Sequence, residues 1–284
     1  MWQIIKRNFS FHKTILICGL FMVSCINEVI SVEFYTEKPH FLPSPSCKLS
    51  QSDFIKCSKH TLQKLMDQLI IGIPEVTEEF GPMDPMIVKD VYYKQDSNEI
   101  ATVRANLTQL TVKGFATAVI KDNKVNRKDF SWITKMFIPK MRLEGNYKME
   151  GRLLLIPLRG SGKMFIEIEN LEITFYTKTR LFEKAGFTFA NVTSLRVGLN
   201  MTRVRTNFEN IFNGQSKEIE RSTNEFFNEN WREFFEALKP VVSETVASVL
   251  FKIMHKVFIL IPVKFFIEDI TTSEEFYGTK TMAT

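Results

Sequence analysis

The feature that most constrains this chain is the stretch from Ser216 to Ile261. Phe227, Trp231, Phe234, Leu238, Val242, Val246, Val249, Ile253 and Val257 recur there every three or four residues. That spacing predicts one continuous apolar face on a helix. Glu225, Asn228, Arg232, Glu236, Ser243, Glu244, Ser248, Lys252 and Lys256 fall on the opposite side. The late cations suit the negative end of a helix dipole. At 1.5 Å per residue the helix would be on the order of 60 Å long, with a kink or restart expected at Pro240. Its first half is too charged to span a membrane, and its Phe and Trp positions are too bulky for a two-stranded coiled-coil seam. Another part of the chain must therefore wrap it.

The wrapping element is expected between about Met86 and Phe212, where the hydrophobic period changes from helical to two. Met164, Ile166 and Ile168 alternate with polar residues, as do Ile173 and Phe175 after a break at Asn170, and Leu195 to Met201. Breakers at Asp96 to Asn98, Gly114, Asp122-Asn123, Gly145, Gly160 to Gly162 and Gly186 divide this stretch into about six to eight strands of an antiparallel meander. Upstream, Ser52 is the expected N-cap of a shorter helix from Asp53 to Ile71, with Phe54, Leu62, Leu65, Met66, Leu69 and Ile70 buried. Gly72 and Pro74 stop it. The fold class is thus α+β: a strongly curved antiparallel sheet rolled around a long C-terminal helix, with a shorter N-terminal helix. Residues 271–284 lack a period and are expected to fray as a polar tail.

Lys6, Arg7 and Lys13 precede the apolar run ILICGLFMVSCI, the order of a secretory signal. Cleavage is expected between residues 24 and 31, with an uncleaved anchor as the alternative. A single domain would then occupy residues 32–270 of an extracellular protein. Export removes Cys18 and Cys25 and leaves Cys47 and Cys57 to pair in an oxidising compartment. It also makes the sequons at Asn106, Asn191 and Asn200 candidate glycosylation sites. Asn106 and Asn200 fall on the polar side of their strands, whereas Asn191 shares the apolar register.

Composition excludes several functions. The formal charge is +5, falling to +3 once Lys6, Arg7, Lys13 and Glu28 leave with the signal. The densest basic run, Lys121 to Lys128, is interrupted by Asp122 and reads as a solvated hairpin tip, so no nucleic-acid partner is expected. Cofactor and metal motifs are absent, and the mature chain keeps only His40, His60 and His255. Gly160-Ser161-Gly162-Lys163 imitates a phosphate loop, but Pro157 and Met164 stand where Gly and Ser or Thr are required, so it reads as a turn between strands. No enzyme activity is expected. With 26 Phe and 12 Met, the apolar load suits either a very large core or a cavity with soft, adaptable walls.

An ordered set of short motifs narrows that choice. The early Cys47 and Cys57 are followed by Gly72-Ile73-Pro74-Glu75, Asp84-Pro85, Ile138-Pro139-Lys140 before Gly145 and Tyr147, and Leu155-Ile156-Pro157 before Gly160 and Gly162. Then come Asn210-Ile211-Phe212 with Gly214, Phe227-Asn228-Glu229-Asn230-Trp231, Pro240 and Pro262. Over about Cys47 to Ile270 the chain resembles the insect juvenile-hormone-binding and takeout-like secreted proteins. Having no second cysteine pair in the mature chain, it is more similar to the takeout branch. The resemblance implies a helix wrapped by a curved sheet around an apolar tunnel, carrying a terpenoid, fatty acyl or similar lipid as a monomer without stable membrane insertion.

Tunnel candidates, chosen from apolar register and aromatic bulk, are Phe115, Trp132, Phe137, Ile166, Phe175, Val197, Phe208, Trp231, Phe234 and Leu238. Truncating Trp231 or Phe234 is expected to change ligand affinity more than stability. The Asn228 to Trp231 run is expected to be structural, its amides satisfying backbone groups. Two alternatives are an interaction glycoprotein with a solid core and a protein that transfers lipid at a membrane surface.

Overall fold

The structure is a computed structural model that describes residues 34–77, 81–95, 101–153, 156–214 and 216–278. The expected signal, with Cys18 and Cys25, lies outside the described residues, as do the break at Asp96 to Asn98 and the last six residues. Helix α1 (Phe54–Ile71) is followed by a single turn, α2 (Pro74–Thr77). Seven strands then form one antiparallel sheet: β1 (Met86–Gln95), β2 (Ala101–Lys113), β3 (Val119–Asn126), β4 (Ser131–Leu153), β5 (Ile156–Lys184), β6 (Phe187–Asn200) and β7 (Arg203–Phe208). Helices α3 (Lys217–Glu229) and α4 (Trp231–Leu260) follow, and a last short helix, α5, spans Ser273–Tyr277.

The sheet is built on its two longest strands. β4 pairs with β5 along its whole length, and each faces two shorter strands laid end to end: β2 and β3 against β4, β6 and β7 against β5. Midway, both long strands change which residues face inward. Trp132, Thr134, Met136 and Ile138 of β4 give way to Met141 and Leu143, while Met164, Ile166 and Ile168 of β5 give way to Leu171, Ile173 and Phe175. The switch falls at Pro139, which has no N–H to donate, and at Asn170, which sits at φ 52°. Both strands change facing at the same place while their pairing keeps one register, so they bend together and the sheet can curl.

Several expected strand boundaries are instead interior. Asp122-Asn123 lies within β3, and the turn comes at residues 127–130. Gly145 lies within β4, and Gly160 and Gly162 within β5, so the phosphate-loop mimic is strand rather than turn. These glycines serve close approach. A Cβ on Gly160 or Gly162 would fall 2.5 Å from the carbonyl oxygen of Asn210 or Glu209, where the chain crosses β5 on its way to α3. Tyr147 fixes the same crossing by donating to the Glu209 carbonyl at 2.7 Å. Its burial pushes the phenol up to about 12.

The long helix breaks at Asn230 rather than at Pro240. Asn230 has φ −108° and ψ 29°, outside the helical range, whereas α4 runs through Pro240. Both Pro240 and Glu236 are exposed, so water serves the carbonyl that the proline leaves unbonded. The buried face of α4 also differs from the expected one. Phe234 is buried near its start, then Ala247, Leu250, Ile253, Val257 and Leu260, while Val242, Val246 and Val249 are half-buried.

Asn224 and Asn228 of α3 complete the free edge of β7. Asn228 accepts from Thr206 N at 2.6 Å and donates to Thr206 O at 2.9 Å, while Asn224 accepts from Phe208 N at 2.9 Å and donates to Phe208 O at 3.0 Å. Two side-chain amides one helical turn apart thus stand in for a neighbouring strand.

The two ends of the described chain lock against each other. Cys47 is bonded to Cys57 of α1, donates through its N–H to Phe266 O and accepts through its carbonyl from Glu268 N. Asp269 accepts from the N–H groups of Leu49 and Ser50. The cap of α1 is Asp53, without a side-chain bond, rather than Ser52. The first part of the tail expected to fray instead forms α5, held by a reciprocal Thr272–Glu275 capping box. There Phe276 packs edge-on against Phe130, and Tyr277 OH accepts from Leu181 N.

Asn224→Ala should lower stability by about 1–3 kcal/mol, because it removes a buried amide and leaves the part-buried N–H and C=O of Phe208 unpaired. Asn228→Ala should cost less, since Asn228 is only half-buried. Urea midpoints with unchanged m-values would read both effects.

Candidate ligand cavity

The interior is divided into two parts. A small cluster, built on Val103, Leu158, Ile211, Phe227 and Phe234, fills one region with tightly packed rings. Phe227 and Phe234 meet edge to face at 4.8 Å between ring centres, and Phe208 packs on Phe227 and Tyr147 in the same way. The larger part surrounds the second half of α4 and contains a cavity of about 160 Å³.

Four elements build its wall. Helix α1 presents Leu62, Leu65, Met66 and Leu69, and α4 presents Leu250, Ile253, Met254, Val257 and Phe258. The inner face of the sheet adds Ile120, Trp132, Met136, Phe175 and Ala190, and Val263, Phe266 and Ile267 close one side after α4 ends. Among the described residues no Asp, Glu, Lys, Arg or His lines the cavity. An ionised group placed inside would therefore lose its water and meet no opposite charge.

The polar side chains in the wall are Ser58, Thr61, Asn123, Thr134, Thr177 and Thr179. Thr134 Oγ1 donates to Asn123 Oδ1 at 2.7 Å, and Thr179 Oγ1 donates to the Phe130 carbonyl. Among the described residues no group of His, Cys, Asp and Glu is placed to hold a metal ion. The titratable groups that depart from their ordinary behaviour lie elsewhere. On the outer face of the sheet, Lys140 hydrogen-bonds Glu167 at 2.8 Å and holds its carboxyl below the usual carboxylate range.

Of the ten positions singled out in the sequence, Trp132 and Phe175 line the cavity. Phe115 and Val197 are buried in the larger core, and Ile166 is half-buried against it. Phe208, Phe234 and Leu238 belong to the solid cluster at the other end, and Phe227 fills the space that a ligand would need there. Trp231 is half-buried under the Arg232 guanidinium and is not part of this cavity's wall. Phe137 is on the outer face of β4, beneath Lys121, because its neighbours Met136 and Ile138 take the inward positions. Aromatic bulk was a poor guide, because bulky rings fill space. The better signal was the apolar face of α1 together with Met66, Met83, Met136 and Met254, whose flexible thioethers make an adjustable wall.

A long helix lying in a curled antiparallel sheet, with an uncharged cavity between them, defines a tubular lipid-binding fold. Residues 19–268 match the family described as haemolymph juvenile hormone binding protein (JHBP), and the chain belongs to that family. It is 21% identical over 236 residues to the circadian clock-controlled protein daywake of Drosophila melanogaster, covering 80% of this chain and 88% of that one. Its likeness to the daywake of Drosophila yakuba is similar, 20% over 234 residues, covering 78% and 86%. In structure it is similar to Takeout 1 of Epiphyas postvittana, with a TM-score of 0.67 and 22% identity over 77% of this chain and 96% of that chain. The family and fold are those of hydrophobic-ligand carriers rather than enzymes. No described helix is long and apolar enough to cross a membrane.

The division into two clusters separates stability from binding. Phe234→Ala should lower stability by about 3–5 kcal/mol while the affinity for a neutral fluorescent naphthylamine stays within about twofold. Ala190→Leu, which projects added carbons into the cavity, should weaken that affinity at least about tenfold and change stability by no more than about 1–3 kcal/mol. Urea unfolding and dye titration of the same two variants test the separation.

Proposed function

We propose that this protein is a secreted, non-enzymatic carrier that holds one small, neutral, hydrophobic molecule in the cavity between α1, α4 and the sheet. The observation that carries this reading is an apolar cavity in the core with no charged side chain among the described residues of its wall. Terpenoids and uncharged fatty acyl derivatives suit such a site. An ionised fatty acid does not, for want of a cation. At about 160 Å³ the cavity compares with engineered apolar cavities of about 150 Å³ that stay dry and admit benzene, and it falls short of the ~300 Å³ common for ligand pockets. A longer ligand must therefore move side chains, and the four methionines are the ones that move most cheaply.

Export by a signal cleaved between residues 24 and 31 completes the reading. Asn106 and Asn200 are exposed on their strands and would carry glycans. Asn191 is half-buried, its Oδ1 is buried without a hydrogen-bond partner, and it would remain bare.

Mass spectrometry of the secreted protein tests these points together. Under native conditions the mass should include one neutral lipid, released by denaturation and organic extraction. After denaturation it should correspond to a chain starting between residues 25 and 32, with glycans at Asn106 and Asn200. A mass with no ligand, unchanged when terpenoids and acyl esters are supplied, would contradict the carrier reading and favour a protein that acts through its surface.

A further inference from the structure

One polar group in the cavity wall is left over. Thr177 is 3% exposed, and its Oγ1 is buried without a hydrogen-bond partner. Its neighbours in the wall are engaged: Thr134 with Asn123, Thr179 with the Phe130 carbonyl, Ser58 with the Ile55 carbonyl at 3.2 Å, and Thr61 with Cys47 Sγ at 3.4 Å. An unpaired buried hydroxyl costs roughly 1–3 kcal/mol. Valine would occupy the same space in a strand without that penalty.

The position of Thr177 is as informative as its missing partner. It stands opposite Trp132 of β4 and Leu195 of β6, while Thr134 stands opposite Phe175 and Asn123. Thr177 and Thr134 are therefore diagonal neighbours on the inner face, and together with Asn123 they make the sheet side of the cavity its polar end. The side formed by α4 carries hydrocarbon and thioether groups, and α1 adds Leu62, Leu65, Met66 and Leu69 beside Ser58 and Thr61, whose hydroxyls are already engaged.

We propose that Thr177 is the specificity-determining residue of the cavity, its hydroxyl bonding one neutral oxygen of the bound molecule, such as that of an ester, ketone or alcohol. The oxygenated end then lies against β4 and β5, and the hydrocarbon part extends toward Met66 and Met254. A carboxylate is disfavoured because, among the described residues, no Lys, Arg or His lines the wall to offset its charge. This inference rests on the carrier reading and goes beyond it by naming the polar group of the ligand and its orientation.

The test uses delipidated full-length secreted protein and displacement of the neutral naphthylamine dye by 2-undecanone, undecane and undecanoate. Wild type should bind the ketone about fivefold more tightly than the alkane and bind the carboxylate most weakly. Thr177→Val should abolish the preference for the ketone, leave alkane affinity within about twofold, and unfold at the same or higher urea concentration. Thr177→Ser, which restores the hydroxyl, should regain the preference. If wild type binds ketone and alkane equally, or the preference survives in Thr177→Val, this inference falls while the carrier reading stands. Binding of none of the three probes would overturn both.

Discussion

The structure depends on burying the second half of α4 inside a sheet that curls around it. Leu250, Ile253, Val257 and Leu260 lie on a helix that presents apolar side chains around most of its girth, so a flat sheet on one side could not cover them. The covering surface must bend. The shared change of facing at Pro139 and Asn170 supplies the bend, since both long strands exchange inward and outward faces at the same pair. Without it, one half of β4 and β5 would turn polar side chains toward the helix. Where the chain crosses β5 near Asn210, Gly160 and Gly162 allow the close approach. The amides of Asn224 and Asn228 finish the edge that β7 leaves open.

That architecture explains why a cavity forms where it does. Helix α1 and the segment after α4 close over the inner face from the same side, fastened to each other by the Cys47–Cys57 disulfide, the bonds between Cys47 and Phe266 to Glu268, and the Asp269 carboxylate. Flexible Met and Leu side chains meet there with a gap, whereas the opposite end is packed solid by Phe208, Phe227 and Phe234. Rigid rings at one end and flexible thioethers at the other give the molecule a stable base and an adaptable site.

The elements were legible because their periods are strong. The α1 face, the alternation in β5 and β6 and the helical period of α3 follow from side-chain spacing alone, whereas α4, apolar around most of its girth, was placed as a helix but with a different buried face. Boundaries that depend on tertiary contact were not. Gly145, Gly160 and Gly162 look like turn residues, but another strand or crossing segment passes against each of them. Pro240 looks like a break, but its freed carbonyl is solvated and the helix continues. For the cavity, register placed Trp132 and Phe175 facing inward, but a packed ring and a ligand-lining ring have the same period. Only the three-dimensional gap distinguishes Phe258, which lines it, from Phe234, which does not.

A ligand in the proposed site would occupy the gap between α1 and the second half of α4. Photo-crosslinking tests this placement most directly, using a diazirine-bearing long-chain alcohol irradiated in the intact protein and mapped by peptide mass spectrometry. Label is expected on Leu62 to Leu69 and on Leu250 to Phe258. Label concentrated on Phe227 to Leu238, or spread over the outer face of the sheet, would contradict it.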